Sequence, residues 1–193
     1  MDALADAIEA IAADDRAELR HLLDAQPDLV GQGVSEERFV TAIVHQFYRG
    51  DTLLHVAAAG FRADMAADLL ERGADIAAKN RRGAQALHYA ADARRPSHGD
   101  QVATIKVLLS AGADANARDK TGVAPLHRAV RRRGAAAVKA LLDGGADANL
   151  KNGSGSTPLF LAEHTTGASG SGSTDAKAEQ AEIVHLLRER GAR

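Results

Sequence analysis

Apolar residues in this chain form helical stripes that return at a nearly constant distance. A glycine followed five residues later by His or Phe recurs at Gly50–His55, Gly83–His88, Gly122–His127 and Gly155–Phe160, in steps of 33, 39 and 33 residues. A leucine pair followed by Gly-Ala recurs at Leu69-Leu70, Leu108-Leu109, Leu141-Leu142 and Leu186-Leu187, with glycine steps of 39, 33 and 46 residues. The underlying unit is therefore 33 residues, with one unit six residues longer and the last thirteen longer. A period of this length marks a repeat architecture.

Each unit reads as a turn and two helices. The glycine supplies a sharp backbone turn before the first helix. Thr52 and Thr157 stand where an N-cap belongs, and Pro125 and Pro158 at the first helical position, where a missing N–H does no harm. The first helix runs through Leu54 to Ala58, with equivalents at Leu87 to Ala91, Leu126 to Val130 and Leu159 to Ala162. Its alanines let a neighbour approach closely. The second helix carries Met65, Leu69 and Leu70, matched by Ile105, Leu108, Leu109, by Val138, Leu141, Leu142 and by Ile183, Leu186, Leu187. This three- and four-residue spacing makes one apolar face. The Gly of Gly-Ala-Asp then ends the helix in a left-handed conformation.

The stretch Asp119-Lys120-Thr121-Gly122-Val123-Ala124-Pro125-Leu126-His127 through Leu141-Leu142-Asp143-Gly144-Gly145-Ala146-Asp147-Ala148-Asn149 closely resembles an ankyrin repeat. The resemblance covers about residues 47–193 and implies an all-α solenoid of stacked helix-turn-helix units with short β-turn or hairpin fingers. Residues 1–193 then form one domain: repeats at 47–79, 80–118 and 119–151, and a C-terminal repeat at 152–193. Gln85 and Ala124 stand where the family has a Thr cap, Phe160 replaces the usual His, and Arg193 replaces the closing Asp. Each missing cap predicts a helix start weaker by about 1 kcal/mol. Terminal repeats depart from the pattern because one face has no neighbour.

Residues 2–30 read as a degenerate N-terminal capping repeat. Leu4, Ile8 and Ile11 form one stripe, and Asp15 to Glu18 has capping-box spacing before Leu19, Leu22 and Leu23. Residues 31–46 fit no unit. Ser35-Glu36-Glu37 followed by Phe39, Ile43 and Phe47 predicts an extra short helix, serving either packing or a partner. Insertions at 94–99 and within 166–175 fall between the two helices of their units, on one edge of the stack. The Gly/Ser-rich second insertion is either a tolerated loop or a flap over a ligand.

Composition narrows the chemistry. Alanine makes up 42 of 193 residues and aromatics only 3%, which favours close-packed helices. With the high arginine usage it also resembles a bacterial member. Absent cysteines exclude disulfides, thiol nucleophiles and Cys-type zinc sites. Net charge is −2, but residues 1–38 carry ten acids and three bases while 39–193 carry sixteen acids and twenty-one bases. An acidic cap thus precedes a mildly basic body.

No P-loop, Gly-x-Ser-x-Gly elbow or His-Glu-x-x-His motif occurs. An enzyme is therefore not expected, nor a cofactor. His55, His88 and His127 hold the same position in successive units, so they are strung along the stack at helix spacings of about 8–10 Å, too far apart to share a metal ion. The resemblance implies a structural, hydrogen-bonded role for them. His98 and His164 lie near the insertions and make only a thin metal case.

The resemblance also implies binding through turn tips and the inner face of the first helices. Transferred by position, the partner-binding candidates are Tyr48, Arg49, Asp51, Lys79, Arg81, Arg82, Arg118, Lys120, Arg131, Arg132 and Lys151. Most are cationic, and arginine makes bidentate contacts with carboxylates. The expected function is a non-catalytic protein–protein interaction module gripping an acidic protein surface or segment, as an inhibitor or scaffold. The alternative is a polyanion, nucleic acid or anionic lipid headgroups, on the same face. Few aromatics for base stacking argue against nucleic acid. The N-terminal residues lack a basic region and a long apolar run, and no run approaches the roughly 18 residues of a membrane helix. A cytoplasmic monomer is expected.

Overall fold

In the computed structural model each 33-residue unit is a pair of packed helices behind a turn. The structure describes residues 2–92, 98–164 and 174–193. The insertions at 94–99 and 166–175 lie almost wholly outside the described residues, as does the His98 side chain. The N-terminal pair is α1 (Ala3–Ala12) and α2 (Arg16–Ala25), followed by a 3-10 turn at Pro27–Gly31. The four repeats are α3 (Leu53–Ala59) with α4 (Ala63–Glu71), α5 (Ala86–Ala90) with α6 (His98–Ser110), α7 (Pro125–Arg132) with α8 (Ala135–Asp143), and α9 (Pro158–His164) with α10 (Thr174–Glu189).

The first helices pack on one another in order, α1 on α3, α3 on α5, α5 on α7 and α7 on α9, and the second helices make a parallel outer layer. Helices of five to eight residues are unstable alone. They form here because they are swallowed by the core: every residue of α3 is buried, as is every residue of α5. Alanines at 57, 58, 90, 91 and 129 are at or near zero exposure, which is what lets the layers close.

The unit junctions are tied by polar groups at three levels. On the finger side the Arg81 N–H donates to the Arg49 carbonyl at 2.8 Å, Lys120 to Arg82 at 2.9 Å and Gly153 to Thr121 at 3.0 Å. In the middle the histidines bridge. Nδ1 of His55, His88 and His127 accepts the backbone N–H of Thr52, Gln85 and Ala124 at 3.1, 3.2 and 3.2 Å. The ring proton therefore sits on Nε2, which donates to the carbonyls of Ala84, Val123 and Ser156 in the following unit at 3.1, 3.1 and 3.3 Å. This explains how Gln85 and Ala124 can hold cap positions: the histidine satisfies the cap residue's own N–H whatever its side chain. On the far side Asn116 reaches the Gly145 carbonyl and the Asp147 N–H, and Asn149 reaches the Gly191 carbonyl and the Arg193 N–H. Ala77 occupies the equivalent place in the first repeat and has no such side chain.

The N-terminal pair is clamped by charge. Asp68 on α4 is 3% exposed and accepts two hydrogen bonds from Arg16 (2.7 and 2.8 Å) and two from Arg20 (2.9 and 2.7 Å). This bidentate geometry is the strong form of the pair.

Residues 31–46 correct the sequence reading. They contain no helix beyond the 3-10 turn that ends at Gly31. Instead β1 (Arg38–Val40) pairs antiparallel with β2 (His45–Phe47), with Arg38 opposite Phe47 and Val40 opposite His45. The three- and four-residue spacing of Phe39, Ile43 and Phe47 is misleading here. Residues 38–48 are dominated by β-branched and aromatic side chains and contain only one alanine, Ala42, in a chain otherwise rich in it. Val40 and Phe47 anchor the hairpin at 5% and 0% exposure.

Candidate functional site

A groove of about 970 Å³ lies between this hairpin and the fingers of the second and third repeats. Its position follows from the fold. The hairpin forms one wall, the turns before α5 and α7 form the other, and the inner face of α7 closes the end.

The floor is a buried polar network around Asp51, the residue after the positive-φ turn at Gly50. Asp51 is 0% exposed. Its Oδ2 accepts the Tyr48 backbone N–H at 2.6 Å and the Tyr89 hydroxyl at 2.7 Å, and its Oδ1 accepts Asn80 Nδ2 at 2.8 Å. Asn80 also donates to the Tyr89 hydroxyl at 2.9 Å, while its own carbonyl oxygen accepts the N–H groups of Arg82 and Ala84 at 2.9 and 3.0 Å. Burial and the neighbouring Asp51 carboxylate push the Tyr89 phenol far above its ordinary value, so it remains a donor. Tyr89 packs against His45 at 4.7 Å, Phe47 at 5.9 Å and edge-on to His55 at 5.4 Å. Among the described residues no buried side-chain polar atom lacks a partner, so the network acts as a rigid base.

Tyr48 stands on this base, half-buried at the rim. The Arg82 guanidinium lies 4.7 Å from its ring centre and donates to its hydroxyl at 2.7 Å, while Arg81 lies 5.7 Å from the ring and pairs with Glu37. Cations over an aromatic face are held by the ring quadrupole. Further along, Arg128 donates to Asp119 at 3.0 Å and lies 3.6 Å from Asp92, which also pairs with Arg132. Lys120 and Arg131 are exposed and make no ion pair among the described residues.

The groove thus brings together Tyr48, Arg81, Arg82, Lys120, Arg131 and Arg132 of the sequence candidates. Arg49, Lys79, Arg118 and Lys151 are exposed but do not line it. Asp51 requires correction: it is wholly buried beneath the groove, and its carboxylate is spent on Tyr48, Asn80 and Tyr89 rather than offered to a partner. Sequence reasoning missed Phe39, Val44 and His45 on the hairpin wall, together with Arg128 and Asp119 opposite. The alanine-poor, β-branched run was the available signal for the hairpin.

Among the described residues no three His, Asp or Glu side chains are gathered as a metal site requires. His55, His88 and His127 are each committed to a carbonyl of the next repeat. His164 instead stacks on Phe160 at 4.2 Å and bonds the Phe160 carbonyl. Among the described residues no helix is long and apolar enough to cross a membrane.

Two family models, both described as ankyrin repeats, match the chain, one with three copies over residues 10–119 and one with many copies over residues 108–162. Among curated proteins, Neurogenic locus notch homolog protein 2 is 48% identical over 69 residues in both Homo sapiens and Mus musculus. Neurogenic locus Notch protein of Drosophila melanogaster is 44% identical over 69 residues. Each match covers 35% of this chain, and the chain spans about 2% of the length of these relatives.

Proposed function

Because this chain belongs to the ankyrin-repeat family, we propose that it is a non-catalytic protein–protein interaction module that grips an acidic protein surface or segment in the groove beside the hairpin. What carries the reading is the charge of the described lining: six Arg or Lys side chains against two Asp. Arg128 and Arg132 are already occupied by Asp92 and Asp119. Lys120 and Arg131 keep their donors for a carboxylate from outside. Such pairs raise association rate and specificity more than raw affinity. The reading includes a cytoplasmic monomer acting as a scaffold or inhibitor, with Tyr48 as an aromatic anchor.

The test is capture of partners by the purified protein and by a variant carrying Arg82→Glu, Lys120→Glu and Arg131→Glu, with the captured proteins identified by mass spectrometry. The expected result is an acidic partner held by the parent and lost by the variant, with both proteins melting at similar temperatures. Equal capture by the two proteins contradicts the proposal.

A further inference from the structure

The hairpin wall carries an unexplained cost. Three large apolar side chains stand exposed among the described residues: Phe39 at 55%, Val44 at 52% and Phe160 at 47%. Two of the three are on this short hairpin, and both line the same groove as Lys120 and Arg131. Val44 is also strained. Its φ of +54° places a β-branched residue in the left-handed region, where Gly or Asn sits with much less strain. The hairpin needs neither residue for its own stability, since Val40 and Phe47 already anchor it and Glu37 ties it to Arg81. An outlier of this kind in a groove wall points to use.

We propose that Phe39 and Val44 form an apolar seat on the hairpin wall of the groove, so that the partner segment is an acidic peptide carrying a large apolar residue beside its carboxylates. This rests on the acidic-partner reading and adds the anchor to it. The apolar residue enters against Phe39 and Val44, and the flanking carboxylates reach Lys120 and Arg131. The hairpin does not close over the ligand. Its base is fixed by Phe47 stacked at 5.9 Å on Tyr89, so the seat is presented ready-made. Preformed apolar seats beside fixed charges select sequence as well as charge. An inorganic polyphosphate has no group for the seat, whereas the bases of an oligonucleotide could stack on Phe39, which is why an oligonucleotide is included in the test.

The test uses fluorescently labelled short peptides of Glu and Asp with a central Phe-Leu pair, or with Gly-Gly in its place, and a thymidine oligonucleotide. Binding is read by anisotropy to the parent, to Phe39→Ser/Val44→Asn and to Lys120→Glu/Arg131→Glu. Asparagine tolerates the left-handed backbone, so the hairpin variant keeps its fold. The parent should bind the Phe-Leu peptide about tenfold or more tighter than the Gly-Gly peptide. The hairpin variant should erase that difference, and the charge variant should weaken both. Equal affinity of the parent for the two acidic peptides overturns the apolar seat and leaves the acidic-partner reading standing. Binding of neither peptide, or tighter binding of the oligonucleotide, overturns both.

Discussion

His88 and the carbonyl of Val123 are joined across a repeat junction, with the ring proton on Nε2 because Nδ1 is occupied by the Gln85 N–H. The acceptor half of this bridge, Nδ1 taking the Gln85 N–H, requires a neutral imidazole. Protonation of Nδ1 would turn an acceptor into a donor facing a donor.

Stability should therefore be pH-dependent in a defined window. Burial, reinforced by the Arg128 cation, depresses the His88 value to about 4, and burial also lowers His55 and His127. In the unfolded chain the same rings take up protons near pH 6.5. Between about pH 6.5 and 4 the unfolded state then binds more protons than the folded one, so stability is full above that range and falls as pH drops through it. His88 alone accounts for about 3 kcal/mol at the lower end. Urea midpoints at pH 7.5, 6 and 5 should decline in order, and a flat profile would contradict the tautomer assignment.

Asp68→Asn should loosen the N-terminal pair. The hydrogen bonds from Arg16 and Arg20 hold the Asp68 carboxyl well below the usual carboxylate range. Its contribution is present above the unfolded value near 4 and is lost as pH falls further. Removing the charge should cost about 2 kcal/mol, and Arg16→Ala less because Arg20 remains. Hydrogen exchange confined to α1 and α2 would report the loss.

Tyr89→Phe removes one donor from Asp51 and one acceptor from Asn80. Both stay buried, so the cost should be about 1–3 kcal/mol. The variant should also weaken binding in the groove, because Tyr48 loses its fixed base. A variant as stable as the parent would show that the network is not the base of the groove.

Gly122→Ala and Gly155→Ala separate conformation from contact. Both glycines have positive φ, +74° and +78°. A Cβ on Gly122 would lie 2.5 Å from the Gly153 nitrogen, whereas one on Gly155 meets nothing within 4 Å. Gly155→Ala should cost about 1–2 kcal/mol from conformation alone, and Gly122→Ala about 2–4 kcal/mol once overpacking is added. Equal costs would mean the fingers are free to part.

The repeats, their glycine turns and the histidine ladder were legible in the sequence because each is dictated by neighbours at a fixed period. The hairpin was not. Phe39, Ile43 and Phe47 satisfy a helical spacing, and that spacing masked the alanine-poor, β-branched run around them, which was the local signal for strands. Asp51 misled for a related reason. Its position in the repeat is a binding position by analogy, but Tyr89 and Asn80 exist in this chain to receive its carboxylate. Arg128 and Asp119 were missed because their pairing needs the turn before α7 to fold back on that helix, and because Arg128 also reaches Asp92 of the preceding repeat.

The far-side asparagines make the repeat junctions chemically unlike one another. Asn116 and Asn149 fasten the rear of the last two junctions, while the junction between the first two full repeats, with Ala77 at that place, is held by Gln85 on the Ala77 carbonyl, by His55 on the Ala84 carbonyl and by the Asn80–Asp51 bond. The fastening of the rod therefore changes beneath the groove, from rear asparagine bridges to a buried cluster at the front. Damage to that cluster would reach the groove floor first and leave the asparagine-bridged junctions behind it intact.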